Sequence, residues 1–265
     1  MSKRNYVLIT GASSGIGKEI AMLFGKNDYN LVLTARRNEA LLQIKKELSS
    51  YGIDVKIFSG DLSDIKIIEE LKEKIEAWDM KIDILINNAG IGKTDYFLDY
   101  DFSKDLEMIN LNIMALTYMT KIFAKYMINN GGGKIINVAS TGAYQPGPLI
   151  SVYYATKAYV LSFSEALAFE FKDKGVDIKI LCPGATKTEF SNRAGKVDIK
   201  NAMEAKEVAV FLYKSLNSKS TVLIPGVFNK ISIYSSKLLP RKFLSKTVFK
   251  IQKNVKEKFD YLERR

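Results

Sequence analysis

The chain has 265 residues, 47% of them hydrophobic and 26% charged, with a formal net charge of +11, no histidine and one cysteine. It is long enough for one sizeable α/β domain, but a histidine-based triad, a histidine metal site, a zinc cluster and an internal disulfide cannot be built from it. Any acid–base group working near neutral pH is therefore a perturbed Asp, Glu, Lys or Tyr.

The charge is uneven. Residues 227–265 carry eleven Lys/Arg against three Asp/Glu, a net +8, which leaves only +3 for residues 1–226. The basicity belongs to the tail, so the body does not read as a nucleic-acid binder and no nucleic-acid partner is expected. No stretch approaches the ~18 to 20 apolar residues of a membrane span. The opening residues run straight into a strand-like segment, leaving no room for a signal peptide. The lone Cys182 fits a reducing compartment. A cytoplasmic location is expected.

In chain order, β-rich runs are predicted at Tyr6–Thr10, Leu31–Thr34, Val55–Phe58, Ile84–Ile86, Lys134–Val138, Asp177–Leu181 and Thr221–Ile224. Amphipathic helical stretches lie between them at Ile16–Lys26, Glu39–Ser49, Ile65–Ala77, Leu106–Ile128, Tyr153–Lys172 and Ala205–Leu216. Such alternation implies right-handed crossovers and a parallel sheet of about seven strands with helices on both faces. Near Pro225 the alternation stops. It divides a body, residues 1–226, from a basic C-terminal extension, residues 227–265.

The first strand is followed at once by Gly11-Ala12-Ser13-Ser14-Gly15-Ile16-Gly17 and then by a helical pattern. Glycines there permit a tight turn and close backbone approach, and the N–H groups at the helix start favour a pyrophosphate. A bare glycine cluster also serves as a plain strand-to-helix turn. Its place between a first strand and a first helix is what favours a Rossmann-type, doubly wound dinucleotide fold. A reader of the ribose 2′-hydroxyl would be an Asp or Glu about 20 residues beyond the glycines. Arg36 and Arg37 stand there instead. A guanidinium suits a 2′-phosphate, which points to NADP(H); the alternative is a solvated basic pair before a helix.

Tyr153 and Lys157 are four apart in a helical stretch and project from one face. A free tyrosine titrates near ~10, and a fixed ammonium beside it favours the phenolate. Alone, this pair is an ordinary feature of amphipathic helices. Ser140, however, ends the fifth strand thirteen residues earlier, and catalytic groups of open parallel sheets gather at the carboxyl ends of strands. Its hydroxyl can donate to a carbonyl oxygen, or it is simply a polar strand terminus.

The spacing from Thr10 to Gly17 resembles that of the short-chain dehydrogenase/reductase superfamily. So do Asp61, with Leu62 after it, following the third strand, and Asn87-Asn88-Ala89-Gly90 following the fourth. The wording of residues 108–190 is similar to the DltE-like bacterial branch. The resemblance implies a hydride transfer between NADP(H) and a carbonyl or alcohol carbon. It assigns cofactor contacts to Gly11, Ser13, Ser14, Gly15, Ile16, Gly17, Arg36, Arg37, Asp61, Leu62, Asn88, Ala89 and Gly90. Tyr153, Lys157, Pro183, Gly184, Thr186 and Thr188 complete that set. Thr188 takes the threonine place that holds the nicotinamide carboxamide, and Thr186 stands where the family usually has an apolar residue. Cys182 reads as a small buried residue rather than a nucleophile.

By the same resemblance Tyr153 is the acid–base, Ser140 holds the substrate oxygen, and Lys157 binds the nicotinamide ribose and lowers the tyrosine pKa. Asn112 supports a water-mediated proton path; a buried helix asparagine bonded to backbone is its other reading, and Asn110 is a nearby competitor. No metal is implied. The loop Thr141–Ser151, with Tyr144, Pro146, Pro148, Leu149 and Ile150, and the stretch Glu189–Met203 would form a pocket for a largely apolar carbonyl or alcohol substrate. A homodimer or homotetramer is expected. A non-catalytic NADP(H)-binding sensor or scaffold is the alternative, disfavoured by the complete Asn112, Ser140, Tyr153 and Lys157 set.

In the tail, Leu244, Val248, Ile251, Val255, Phe259 and Leu262 form one apolar helical stripe with five lysines largely off it. Packing on the body or on a neighbouring subunit, peripheral docking on an anionic membrane, and nucleic-acid binding are its competing readings.

Overall fold

The computed structural model describes residues 5–195 and 202–263. Strands and helices alternate as β1 (Asn5–Thr10), α1 (Gly15–Lys26), β2 (Asn30–Ala35), α2 (Asn38–Leu48), β3 (Val55–Ser59), α3 (Ile65–Ala77) and β4 (Lys81–Asn87). There follow α4 (Phe102–Ile109), α5 (Leu116–Asn129), β5 (Gly133–Val138), α6 (Ser151–Glu170), β6 (Val176–Leu181), β7 (Thr186–Lys187), α7 (Glu189–Arg193), β8 (Met203–Glu204), α8 (Ala205–Ser215) and β9 (Val222–Leu223). Two helices close the described chain, α9 (Val227–Leu238) and α10 (Arg241–Glu263).

Seven strands form one parallel sheet in the order β3-β2-β1-β4-β5-β6-β9. It is doubly wound with helices on both faces, as the strand–helix alternation predicts. The side-chain period of two decides which helices each face meets. Val7 and Ile9 of β1 pack with Ile20 and Phe24 of α1, Leu41 and Ile44 of α2 and Val208 and Leu212 of α8. Tyr6 and Leu8 point the other way, against Ile68 and Leu71 of α3 and Met119 and Phe123 of α5. The strand order reverses at β1, whose neighbours are β2 and β4, and a crevice opens there at the strands' carboxyl ends.

The long helix predicted over Leu106–Ile128 is interrupted. Asp101 caps α4 by accepting from the Ser103 N–H at 2.8 Å, and Asn110–Ala115 forms a π-helical turn before α5. One extra residue in a turn of otherwise continuous helix leaves the apolar period almost unchanged, which hides it from periodicity. The β7–β8 pair was not expected either, since two residues per strand carry no alternation.

Nor was α9. Its exposed face is apolar, with Val227, Phe228, Ile231, Tyr234 and Leu238 outward, while only Ile233 and Ser236 are buried, so the ordinary amphipathic pattern is missing. Pro240 separates it from α10. On α10, Leu244 and Val248 of the apolar stripe are buried, Val255 and Phe259 half-buried, and Ile251 and Leu262 exposed. Lys256 pairs with Asp95 at 3.0 Å, tying the helix to the loop after β4.

Candidate active site

Thr10 and Asn88 hold the ends of β1 and β4 at the crevice. The Thr10 hydroxyl accepts from the N–H groups of Asn88 (3.0 Å) and Ala89 (2.9 Å), while the Asn88 amide donates to the Thr10 carbonyl at 3.0 Å. Gly11 and Gly15 sit at φ +64° and +55°, a region costly for side-chain-bearing residues. Gly17 is needed for space: a Cβ there would run into the Gly11 carbonyl oxygen and the Asn88 amide. The N-cap Ser14 makes no side-chain bond to the first turn of α1, so those N–H groups face the crevice uncapped.

One cleft of about 410 Å³ lies over this turn. Of the residues expected from the sequence, it is lined by Gly11, Ser13, Ser14, Gly15, Ile16, Arg36, Arg37, Asp61, Leu62, Asn88, Ala89, Gly90, Ser140, Tyr153, Lys157, Pro183, Gly184, Thr186 and Thr188. Gly17 and Asn112 are not in its wall.

At the end of the cleft nearest β2, an Arg37 N–H group reaches the Ser13 carbonyl and hydroxyl, both at 3.4 Å, and Arg37 pairs with Glu189 at 2.9 Å. Arg36 lies 3.8 Å from the Asp61 carboxylate. Both guanidiniums thus reach the cleft from the end of β2, held by exposed carboxylates.

At the other end, Ser140 ends the β5 segment and caps a short turn over Thr141–Tyr144. Its Oγ accepts from the Gly142 N–H at 3.1 Å, which aims its own hydrogen toward the cleft side where Tyr153 lies. The Lys157 ammonium donates to the Val138 carbonyl at 2.7 Å and stands 5.8 Å from the centre of the Tyr153 ring. Both side chains are buried. Burial pushes the Tyr153 phenol above its usual range, partly offset by a hydrogen bond with Ser140. Burial lowers the Lys157 ammonium to about 8.

Asn112 lies in the π-helical turn, fully buried behind the cleft. Its Oδ1 accepts from the Ile91 N–H at 3.0 Å, and its Nδ2 donates to the Ile91 carbonyl at 2.9 Å and the Thr156 hydroxyl at 3.1 Å. That is the backbone-bonded arrangement of a buried asparagine. Asn110 makes no such bond among the described residues.

Thr186 turns its hydroxyl to the Gly184 carbonyl at 3.0 Å, which lets a polar residue occupy an otherwise apolar position. Thr188 caps α7. Cys182 is wholly buried, and burial raises its thiol to about 12.

Several side chains meet the cleft in contacts not predicted from the sequence, although Phe190 lies in the expected cover and Ile251 and Val255 in the apolar tail stripe. Phe190 stacks obliquely on Tyr153, with ring centres 5.4 Å apart. Ile251, Gln252 and Val255 of α10 reach the same wall. The Gln252 amide nitrogen donates to the Tyr154 hydroxyl at 3.4 Å, while its carbonyl oxygen is buried and without a partner among the described residues. Of the expected cover Glu189–Met203, Phe190, Ser191 and Arg193 line the cleft; residues 196–201 lie outside the described residues. From the loop Thr141–Ser151, only Thr141 lines it.

A doubly wound parallel sheet with its cleft at such a switch point is the architecture of dinucleotide-binding proteins, and comparisons with known proteins narrow it further. A sequence model described as short chain dehydrogenase matches residues 5–198. The chain is 35% identical over 207 residues to 17-beta-hydroxysteroid dehydrogenase type 3 of Mus musculus, covering 77% of this chain and 67% of that protein. It is 31% identical over 249 residues to very-long-chain 3-oxoacyl-CoA reductase-B of Danio rerio, covering 92% and 78%. Among solved structures, a short-chain dehydrogenase from Sphingobium yanoikuyae in complex with NADPH superimposes with a TM-score of 0.79 at 31% identity, covering 89% of this chain and 94% of that one. The chain belongs to the short-chain dehydrogenase/reductase superfamily; it is an oxidoreductase that uses a nicotinamide dinucleotide.

Proposed function

We propose that this enzyme uses NADP(H) to interconvert a carbonyl and an alcohol on a largely apolar small molecule, with Tyr153 as its acid–base residue. The observation that carries the reading is the meeting of Ser140, Tyr153 and Lys157 in one cleft with the glycine turn and two arginines.

The dinucleotide fits the residues present. The cradle at Gly11, Gly15 and Gly17 has no room for side chains, and the uncapped start of α1 supplies N–H donors for a pyrophosphate. In this reading Arg36 and Arg37 would grip a 2′-phosphate, Asp61 and Leu62 would face the adenine, and Asn88, Ala89, Gly90, Pro183, Gly184, Thr186 and Thr188 would hold the nicotinamide half; all line the cleft. When bound, the nicotinamide supplies or accepts the hydride.

The chain's own groups then manage the oxygen. Ser140 donates its hydroxyl hydrogen to the substrate oxygen and fixes its position. Tyr153, held protonated at neutral pH by burial, gives its phenolic proton to that oxygen as a carbonyl is reduced and takes it back in oxidation. Lys157, anchored on Val138, places an ammonium beside the ring and donates to the nicotinamide ribose. Asn112 acts as a positioning residue: it locks Ile91 and Thr156, the neighbours of Gly90 and Lys157.

Phe190, Ile251 and Val255 give the substrate end an apolar wall. The names of the two relatives, a hydroxysteroid dehydrogenase and a very-long-chain 3-oxoacyl-CoA reductase, support a substrate of that character. Exposed Phe102, Leu106, Ile109 and Tyr159 on α4 and α6 support a homodimer or homotetramer. The cytoplasm is the proposed location, with the C-terminal helices able to touch a membrane.

The test is an NADPH-oxidation screen over apolar ketones, aldehydes and 3-oxoacyl thioesters, followed by Tyr153→Phe on the best substrate. Turnover should fall by about 10²- to 10⁴-fold with NADPH binding retained. Near-normal turnover in that variant would remove Tyr153 from the role. Tight NADPH binding with silence across the panel would point instead to a sensor or scaffold.

A further inference from the structure

The outer face of α9 is apolar where a helix packed on a soluble body is expected to be polar. Val227 (70% exposed), Phe228 (87%), Ile231 (56%), Tyr234 (62%) and Leu238 (87%) recur at steps of one, three, three and four, and so share one side of the helix. Ile233 and Ser236, on the opposite side, are the buried pair. The apolar strip continues past Pro240 through the exposed Leu239 and Phe243. A continuous patch of this kind marks a surface that meets something.

Charge decides what it meets. From Val227 to Lys256 the chain holds eight Lys/Arg and no Asp/Glu. Lys230, Arg241, Lys242, Lys246 and Lys250 are all exposed, and none has an acidic partner among the described residues. In a two-fold dimer built on this patch the same cations would face one another. A bilayer of anionic lipid offers apolar depth for the strip and negative headgroups for its rim.

We infer that α9 and the first turns of α10 dock the protein on an anionic membrane, with the mouth of the cleft turned toward the lipid. Two contacts set that orientation. Ile233 packs against the Ala143–Tyr144 turn that follows Ser140, and the Lys237 ammonium stands 5.4 Å from the centre of the Tyr144 ring. Ile251 lines the cleft and is 55% exposed, so α10 presents the cleft's edge at the same corner. An apolar substrate would then pass from the bilayer into the site without crossing water. This last step rests on the functional reading above; the docking itself does not.

Full-length protein is sedimented with vesicles of phosphatidylcholine alone and of phosphatidylcholine with phosphatidylglycerol. Binding is expected only to the anionic vesicles and should weaken with added salt. It should fall by about tenfold or more in Phe228→Ser/Leu238→Ser and in Lys242→Gln/Lys246→Gln, with NADPH binding intact as the control for folding. Absence of vesicle binding, equal binding to neutral vesicles, or a change in oligomer mass in place of vesicle binding would each overturn the inference. The readout needs no turnover, so silence in the NADPH-oxidation screen and failure here are separate results.

Discussion

Lys157 lies beside the Tyr153 ring, 5.8 Å from its centre, with its ammonium fixed on the Val138 carbonyl at 2.7 Å. The pair is set four residues apart on α6 and closed over by the glycine-rich segment after β4: a Cβ at Gly90 would lie 3.4 Å from the Lys157 ammonium. Burial acts on both, upward on the phenol and downward on the ammonium. The phenol is therefore kept protonated beside a cation held out of water.

Because the Lys157 ammonium is lowered from 10.5 to about 8 by burial, the folded protein sheds that proton before the unfolded chain does. Below pH 8 both states hold the proton and the cost of burying the charge is fully felt. Between about 8 and 10.5 the unfolded chain binds more proton, so stability rises with pH; above that window the effect is complete. The stability of the wild type relative to Lys157→Met should therefore rise by up to about 1.4 kcal/mol per pH unit across the window. Urea unfolding of the two proteins at pH 7, 8, 9 and 10 checks this, and parallel curves would contradict it. The comparison also cancels Cys182, whose raised thiol acts in the opposite sense above pH 9.

Replacing Arg36 and Arg37 by alanine should change cofactor choice more than catalysis. A charge-assisted bond is worth about 1.5–3 kcal/mol, so kcat/KM for NADPH should fall by about 10- to 100-fold while that for NADH changes little. Steady-state rates with both cofactors decide it. An equal loss for the two would mean that the arginines hold the fold through Asp61 and Glu189 and do not read the 2′ position.

Cys182, wholly buried between Ile180 and Ile224, should be silent to a thiol reagent in the native state. Its thiolate is suppressed and access requires opening of the sheet edge at β6 and β9. Labelling at pH 8 should be complete in urea and negligible without it, and turnover should be indifferent to the reagent. Rapid native labelling would mean that α9 is loosely seated.

Asn137 sits at the centre of a buried polar network behind the site. Its Oδ1 accepts from Asn87 at 2.9 Å and Thr120 at 3.3 Å, and its Nδ2 donates to Ser164 at 2.9 Å, joining β4, β5, α5 and α6. Asn137→Leu leaves those partners buried and short of bonds, at a cost of about 2–3 kcal/mol. The midpoint of urea unfolding should drop accordingly, and an unchanged midpoint would show that the network contributes no net stability.

What was legible in the sequence was whatever repeats or is spaced locally. Val7 and Leu8 announce a two-sided strand by alternation. The Gly11–Gly17 turn is readable because each glycine answers a local need, and Tyr153 and Lys157 because four residues make one helical turn. What depends on distant chain was not legible. Phe190 lies in the predicted cover Glu189–Met203, but its ring contact with Tyr153 joins residues far apart in the chain. Gln252 reaches the cleft from a helix almost one hundred residues beyond Tyr154. The π-helical turn hid inside an unbroken apolar period, and α9 was hidden because its apolar side faces out.

The Gln252-bearing wall also fixes the order in which the site is completed during synthesis. The glycine turn and the arginines after β2 lie within residues 11–61 and gain their neighbouring strand as soon as β4 is added. The wall that Ile251, Gln252 and Val255 supply arrives only with α10. A nascent chain therefore completes the floor of the cleft well before its far wall. Enclosure is the last property to appear.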